Sequence, residues 1–327
     1  MSQKTGEKLE ILSFANKDGE FKRKDSVFRD FISKEKGAKF LAEPNRYHLY
    51  VSYACPWAHR TLITRVLKGL TGIISVSVVH WLMDDKGWKF PTAEDPCKGA
   101  TPDHLYGFDR IRKLYYKADP DYSGRFTVPV LWDKKLETIV NNESSEIIRM
   151  LNSEFNDLID SKYAEIDIYP ETLKSEIDDL NEWIYPTINN GVYKSGFATK
   201  QEPYEKEVTQ LFKSLDRLET ILADKQAKGE DFLVANTLTE ADIRLYTTIV
   251  RFDPIYVQHF KCNLGMIRFD FPHIHKWVRN LYWNYDAFKS TTNFDHIKFH
   301  YSKSHININP FHITPLGPVP HILPLDE

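Results

Sequence analysis

Cysteine is scarce in this chain: three in 327 residues, at positions 55, 97 and 262. They are too few and too scattered for a disulfide framework. No Cys-x-x-Cys pair offers a zinc site or a dithiol redox centre. No run of about 18 apolar residues occurs that would span a bilayer, and the polar opening MSQKTGEKLEILSFANKDGEFKRKD lacks an apolar core of signal-peptide length. Neither sign of charge dominates. Lys and Arg number 43 against 46 Asp and Glu, a net charge of −3, which argues against nucleic-acid binding through a basic face. The last residues, PLDE, match no familiar retrieval or peroxisomal signal. Internal repeats are lacking too. These absences predict a reduced, cytoplasmic protein with no membrane or nucleic-acid partner.

What is present suggests two domains. Apolar residues make up 42% of the chain, enough for a sizeable core, and aromatics at 13% call for pockets or interfaces. Residues 1–40 are charged and read as an N-terminal extension, with FKRK a solvated basic patch. Then YHLYVS (Tyr47–Ser52) reads as a strand. Pro56 opens a helix, since proline suits the first helical position. Ala58, Leu62, Val66 and Leu70 recur every four residues, with Ile63 and Leu67 beside them, so one helix face is expected to be buried. The β-branched run Ile73–Trp81 is a second strand. Strand, helix, strand at this spacing is a βαβ unit with parallel strands. A polar, irregular insertion follows, about 84–124, containing one predicted helix, GFDRIRKLYYKAD. Arg125–Asp133 and Glu137–Asn142 then form a hairpin, and Ser144–Phe155 a helix.

This order predicts an α/β, thioredoxin-like domain over 41–160. From 161 to 327 the pattern is helical. PETLKSEIDDLNEWIYPTI, EPYEKEVTQLFKSLDRLETILAD, LTEADIRLYTTIVRFD and FPHIHKWVRNLYW are amphipathic, and Thr239 with Asp242 forms a weaker relative of a capping box. The proline-rich tail from His305 is expected to lie over the surface without forming elements.

Cys55 stands between strand and helix, immediately before Pro56. A small packed residue is the plain reading. However, a helix N-terminus stabilises negative charge, and the thiolate is the reactive form of cysteine, so the strand–Cys–Pro–helix setting favours a nucleophile. A dithiol enzyme would carry its resolving cysteine three residues on, where this chain has Ala58. An adduct on Cys55 then needs an external thiol, and glutathione is the natural candidate. Two further stretches fit it. TVPV places Pro129 at a strand entry, where a cis Val128–Pro129 bond would turn the Val128 backbone outward to pair with an extended peptide. In NNESSEII, Glu143 can meet an ammonium and Ser144, at a helix start, a carboxylate, the two charges of a γ-glutamyl group. His59, one turn after Cys55, is read as a packing residue on a helix leaving the site. The scattered histidines, His273 and His275 among them, make no metal site, and no metal is expected.

The motifs ACPWAHRTL, SVVHW…GWKF, RFTVPVLWD, NNESSEII, NNGVYKSGFA, LTEADIRLYTTIVRFDPIYVQHFKCN and INPFHITPLGP together resemble the Xi class of the glutathione transferase superfamily. These are the glutathionyl-hydroquinone reductases, whose fungal members are called omega-like. The resemblance spans about 45–320 and implies a thioredoxin-like domain followed by an all-helical glutathione-transferase domain, with glutathione as co-substrate and no metal. It implies Cys55 as nucleophile, Trp88 as a cover over glutathione, Arg125, Phe126, Thr127 and Val128 along its peptide and glycyl end, and Glu143 and Ser144 at its γ-glutamyl end. It further implies Tyr193 as proton donor, with the hydroxyls of Tyr256 and Tyr301 near the sulfur, favouring its thiolate. The substrates implied are quinone conjugates, the role quinone detoxification, and the assembly a homodimer, which no periodicity in the sequence itself shows. An omega-like thiol transferase or dehydroascorbate reductase would share Cys55 but not need Tyr193. A non-catalytic binding module would tolerate loss of Cys55.

Overall fold

The computed structural model describes residues 15–21 and 25–326; most of the FKRK patch and the first 14 residues of the extension lie outside these. Strand β1 (Tyr47–Val51) is buried along its whole length, as β-branched and aromatic residues in a central strand should be. It pairs in parallel with β2 (Ser75–Val78), from His48 opposite Ser75 to Val51 opposite Val78. A short hairpin, β3 (Met83–Asp84) and β4 (Gly87–Trp88), follows, turning at Gly87 with φ of 87°. On its other edge β1 pairs antiparallel with β5 (Val130–Asp133), which pairs with β6 (Thr138–Asn141), giving the order β2-β1-β5-β6. Helices α1 (Pro56–Leu67), α2 (Ile111–Ala118) and α3 (Ser144–Ser153) complete the thioredoxin-like domain.

Three sequence expectations change here. The strand predicted from Arg125 starts only at Val130, because phenols take the backbone groups that a neighbouring strand would pair. Tyr122 donates to the Arg125 carbonyl (2.8 Å); Tyr115 donates to the Thr127 carbonyl (2.9 Å) and accepts from the Thr127 N–H (3.2 Å). Helix α1 is buried on every face from Pro56 to Thr64, not on one. It lies between α3 on one side and the helical domain on the other. The extension is also more than an arm. Asp30 N–H donates to the Val140 carbonyl (3.0 Å) and Asn142 N–H to that of Phe28 (3.1 Å), so it lines the β6 edge, while Ile32 and Phe40 enter the core.

The second domain is helical: α4 (Lys174–Ile184), α5 (Gly191–Gly196), α6 (Gln201–Ala227), α7 (Glu240–Ile249), α8 (Pro272–Asn284) and α9 (Phe294–Ser304). At the start of α7 the capping box is complete. Asp242 accepts from the Thr239 N–H (3.0 Å) and also from the Leu233 N–H (3.1 Å) and Trp277 Nε1 (3.0 Å), tying α7 to α8. The chain after α4 and after α7 passes into wider turns, Tyr185–Asn189 and Phe252–Tyr256, where Asn190 N–H reaches back five residues to Tyr185 and Tyr256 N–H to Arg251. Each holds a proline, Pro186 or Pro254, whose missing N–H breaks the α-helical ladder. Helix α9 escaped the sequence pattern because it buries polar residues, His296, Lys298, His300, Ser302 and Ser304, as well as apolar ones. Asn293 caps it, accepting from His296 N–H (2.9 Å). The tail forms no strand or long helix, as expected; Lys298 Nζ donates to the Leu316 carbonyl (2.6 Å) and His321 stacks on Phe294.

One ion-pair network joins the domains. Glu240, fully buried on α7, accepts two bonds from Arg149 of α3 (2.9 and 2.8 Å), one from Asn181 (3.1 Å) and one from Arg244 (3.3 Å). Removing one partner of a buried pair costs about 3–5 kcal/mol. Arg149 is 37% exposed and can turn to water, which places Glu240→Ala at the low end, about 3 kcal/mol. Denaturant unfolding checks this: a change in midpoint equivalent to under about 1 kcal/mol overturns the assignment.

Candidate active site

Cys55 is the residue preceding α1, extended at φ −76° and ψ 119°, with Pro56 first in the helix. Its carbonyl accepts the first helical bond, from His59 N–H at 3.0 Å. The side chain thus stands at the helix N-terminus, where backbone N–H groups lack helical partners and favour a thiolate. It is half-buried, and its thiol donates to the Val128 carbonyl at 3.5 Å. The Val128–Pro129 bond is cis, as the sequence suggested.

A cleft of about 230 Å³ opens over the sulfur. On one side stand Arg125, Phe126, Thr127 and Val128, with Trp88 facing them from β4. The phenol of Tyr115 and the side-chain amide of Asn142 (3.1 Å apart) brace the Thr127 backbone from below. Phe126 buries its ring against Tyr115, Tyr116 and Tyr122. The hairpin that carries Trp88 was not foreseen inside the irregular stretch. Arg110 holds it through both carboxylate oxygens of Asp84 (2.7 and 2.8 Å), and the Trp88 ring stacks on His300 of α9 at 4.8 Å and 24°. Glu143 and Ser144 sit next along the chain from Asn142, at the start of α3. Glu143 caps that helix, accepting from Ser145 N–H (3.2 Å) and from Ser26 of the extension (3.2 Å). Ser144 is buried, its Oγ 3.4 Å from Arg60 Nη1.

The three tyrosines meet. Tyr193 of α5 and Tyr301 of α9 share a short hydroxyl–hydroxyl bond in the cleft wall, and Tyr301 bonds in turn to Tyr256 at 3.1 Å. Tyr256 stands behind Tyr301 and is fully buried. Burial pushes all three phenols well above their usual range, and the charge of Cys55 adds to the effect on Tyr193. At neutral pH the row is therefore protonated.

The histidines around it are neutral. Burial lowers His300 to about 4 and His259 to about 3, as it lowers His48 under the sheet to about 3. A histidine held neutral in the fold but free to protonate when unfolded contributes stability above about pH 6.5 that is lost as pH falls toward the folded value. Three such groups predict a loss of up to about 4 kcal/mol per pH unit between about pH 6 and 4. Denaturant unfolding across that range tests it; an unchanged midpoint between pH 6.5 and 5 overturns the neutral assignment.

Sequence reasoning missed four participants. Phe21 of the extension reaches the cleft and stacks on Phe197 at 5.9 Å and 19°, with Tyr193 6.0 Å away. Trp57 packs on Tyr193 at 4.9 Å, and His300 supports Trp88. The fourth is Arg251, which joins His59 beneath the Cys55 turn, so His59 is more than packing. A clue was available for Arg251 alone: it follows the apolar pair Ile249–Val250 and precedes Phe252 in LTEADIRLYTTIVRFD.

A thioredoxin-like domain with a cis-proline beside a helix N-terminus, and a helical domain closing the cleft over it, define a glutathione transferase. The family models for the glutathione S-transferase N-terminal domain and C-terminal domain match residues 54–154 and 201–280. The chain is 57% identical to glutathione S-transferase omega-like 2 of Schizosaccharomyces pombe, covering 95% of this chain and 97% of that protein. It is 52% identical to glutathionyl-hydroquinone reductase YqjG of Escherichia coli, covering 92% and 89%. The crystal structure of the Xi glutathione transferase ECM4 from Saccharomyces cerevisiae in complex with glutathione superposes with a TM-score of 0.90 at 54% identity, covering 94% of this chain and 99% of that one. The chain belongs to the glutathione S-transferase family, among its Xi-class, omega-like members and glutathionyl-hydroquinone reductases.

Proposed function

We propose that the protein reduces S-glutathionyl-hydroquinones to free hydroquinones at the expense of glutathione. The observation that carries this reading is the row of protonated phenols, Tyr193, Tyr301 and Tyr256, ending in the same cleft as Cys55. Disulfide exchange asks only for a thiolate, whereas breaking a carbon–sulfur bond leaves a carbon that must receive a proton.

In the first half-reaction the Cys55 thiolate attacks the sulfur of the conjugate. A sulfur–sulfur bond forms, the bond from sulfur to the ring carbon breaks, and its electron pair stays with the ring. Tyr193 protonates that carbon and the hydroquinone leaves, while Tyr301, backed by Tyr256, donates to the phenolate left behind. In the second, water returns a proton to Tyr193, a glutathione thiol loses its own proton to water, and its sulfur attacks the glutathione side of the mixed disulfide. Glutathione disulfide departs, and Cys55 leaves as the thiolate. The ring is reduced by two electrons and two glutathione sulfurs are oxidised to one disulfide. The Val128 backbone would pair with the tripeptide, Arg125, Phe126 and Thr127 would line its peptide and glycyl end, Glu143 and Ser144 would meet its γ-glutamyl end, and Trp88 would cover it.

The deciding experiment incubates the protein with glutathionyl-menadiol and glutathione and follows menadiol release, with intact mass read on quenched samples. Release, with a glutathione adduct confined to Cys55, is expected. Disulfide exchange on small mixed disulfides without hydroquinone release would replace this reading with a plain thiol transferase.

A further inference from the structure

Arg251, just past α7, is fully buried, yet all its hydrogen-bond partners are neutral. Nε donates to the Ala54 carbonyl (3.1 Å) and Nη2 to the Tyr53 carbonyl (2.8 Å). Nη1 donates to the Thr247 carbonyl (2.6 Å) and to His59 Nδ1 (3.0 Å). Among the described residues, no carboxylate lies within 4.0 Å of it. By contrast, Arg46, also buried, meets Asp133, and the part-buried Arg268 meets Asp253. A buried charge without a counter-charge is costly, so a fold keeps one where another charge will need it.

The two carbonyls it holds belong to the residues immediately before Cys55. We propose that Arg251 is a positioning residue for the nucleophile: it clamps the Tyr53–Ala54 turn from beneath and supplies the positive field that the Cys55 thiolate needs. The guanidinium comes from the helical domain and the turn from the thioredoxin-like domain, so the thiolate depends on the docking of the two. This rests on Cys55 being the nucleophile but not on the identity of the acceptor.

His59 keeps the charge undivided. Its Nδ1 accepts from Arg251, so the ring proton is on Nε2, which donates to Thr291 Oγ1 (3.0 Å); that hydroxyl donates to the Ala287 carbonyl (2.6 Å). Burial, with Arg251 beside it, holds the His59 imidazole well below its usual range, hence neutral. Among the described residues, the titratable groups lining the cleft with Cys55 are Asp25 of the extension, Tyr122 and Arg125 before β5, and Tyr193, His300, Tyr301 and His305 of the helical domain. Among these described groups Arg125 alone is a fixed cation, and it is part-exposed, where water screens its field. A lysine could keep the charge but not the fork that reaches two carbonyls and an imidazole at once.

The test reads the thiol directly. Intact-mass kinetics of Cys55 alkylation by iodoacetamide across pH give its apparent pKa, whatever the acceptor turns out to be. Arg251→Gln is expected to raise that pKa by about one unit or more, slowing alkylation about tenfold at pH values below the wild-type pKa, and Arg251→Lys to recover most of the shift. An unshifted profile in a folded Arg251→Gln protein overturns the proposal. Because that variant can fail to fold, a second pair leaves Arg251 in place. His59→Asn keeps a neutral acceptor at the Nδ1 position and is expected to leave the profile within about half a unit of wild type, whereas His59→Asp sets a carboxylate there and is expected to raise the pKa by about one unit. Matching profiles for the two His59 variants also overturn the proposal.

Discussion

Cys55→Ser is expected to leave the protein folded and to lower the proposed hydroquinone release by on the order of 10³-fold or more. The substitution exchanges one small side chain for another at a half-buried position, so no cavity or clash is created. What changes is the nucleophile. A serine hydroxyl stays protonated at neutral pH and is a far weaker nucleophile than a thiolate, and His59, one turn on, spends both ring nitrogens on Arg251 and Thr291. The other thiols do not compensate. Cys97 and Cys262 are buried, and burial pushes the Cys97 and Cys262 thiols up. Intact mass under turnover provides the check: a glutathione adduct is expected on wild type and not on the serine variant. Persistent adduct would move the nucleophile elsewhere in the chain.

Tyr193→Phe is expected to separate the two half-reactions. Loss of a general acid costs roughly 10²–10⁴-fold in the step it serves. Single-turnover release of menadiol should fall by that amount, while glutathione reduction of a preformed Cys55 mixed disulfide should change less than about tenfold, since a sulfur leaving group needs no protonated carbon. The aromatic packing on Trp57 and Phe260 survives the change, so a general loss of stability is not the explanation. Tyr301, which shares the hydroxyl bond, keeps a partner in Tyr256. Equal losses in both half-reactions would make Tyr193 a structural member of the wall rather than the acid.

The order of elements was legible because each carried a local signal: the β-branched runs of β1 and β2, proline at the start of α1, threonine and aspartate capping α7. The cysteine, the cis-proline and the Glu143–Ser144 helix start were likewise readable from neighbours a few residues away. What could not be read depended on distant contacts. Helix α9 has no clean apolar stripe, because its buried lysine and histidines find carbonyl partners in the tail and at Trp81. The β3–β4 hairpin is two residues a side, too short for periodicity, and is held by Arg110. That Tyr193, Tyr256 and Tyr301 touch was suggested only by resemblance, since nothing in three separated tyrosines specifies one cluster. Phe21 required knowing that the extension doubles back along β6.

Helix α1 has no free side over its first two turns, and this bears on how the protein comes apart. An element enclosed by both domains cannot be released by either alone, so the two are expected to melt as one cooperative unit rather than in sequence. Small openings of the seam should then be felt at Cys55 first, before any global unfolding registers in the helical signal. The Cys55 thiol, the proposed nucleophile, would thereby double as a native reporter of the seam's integrity, readable by its labelling rate in sub-denaturing urea.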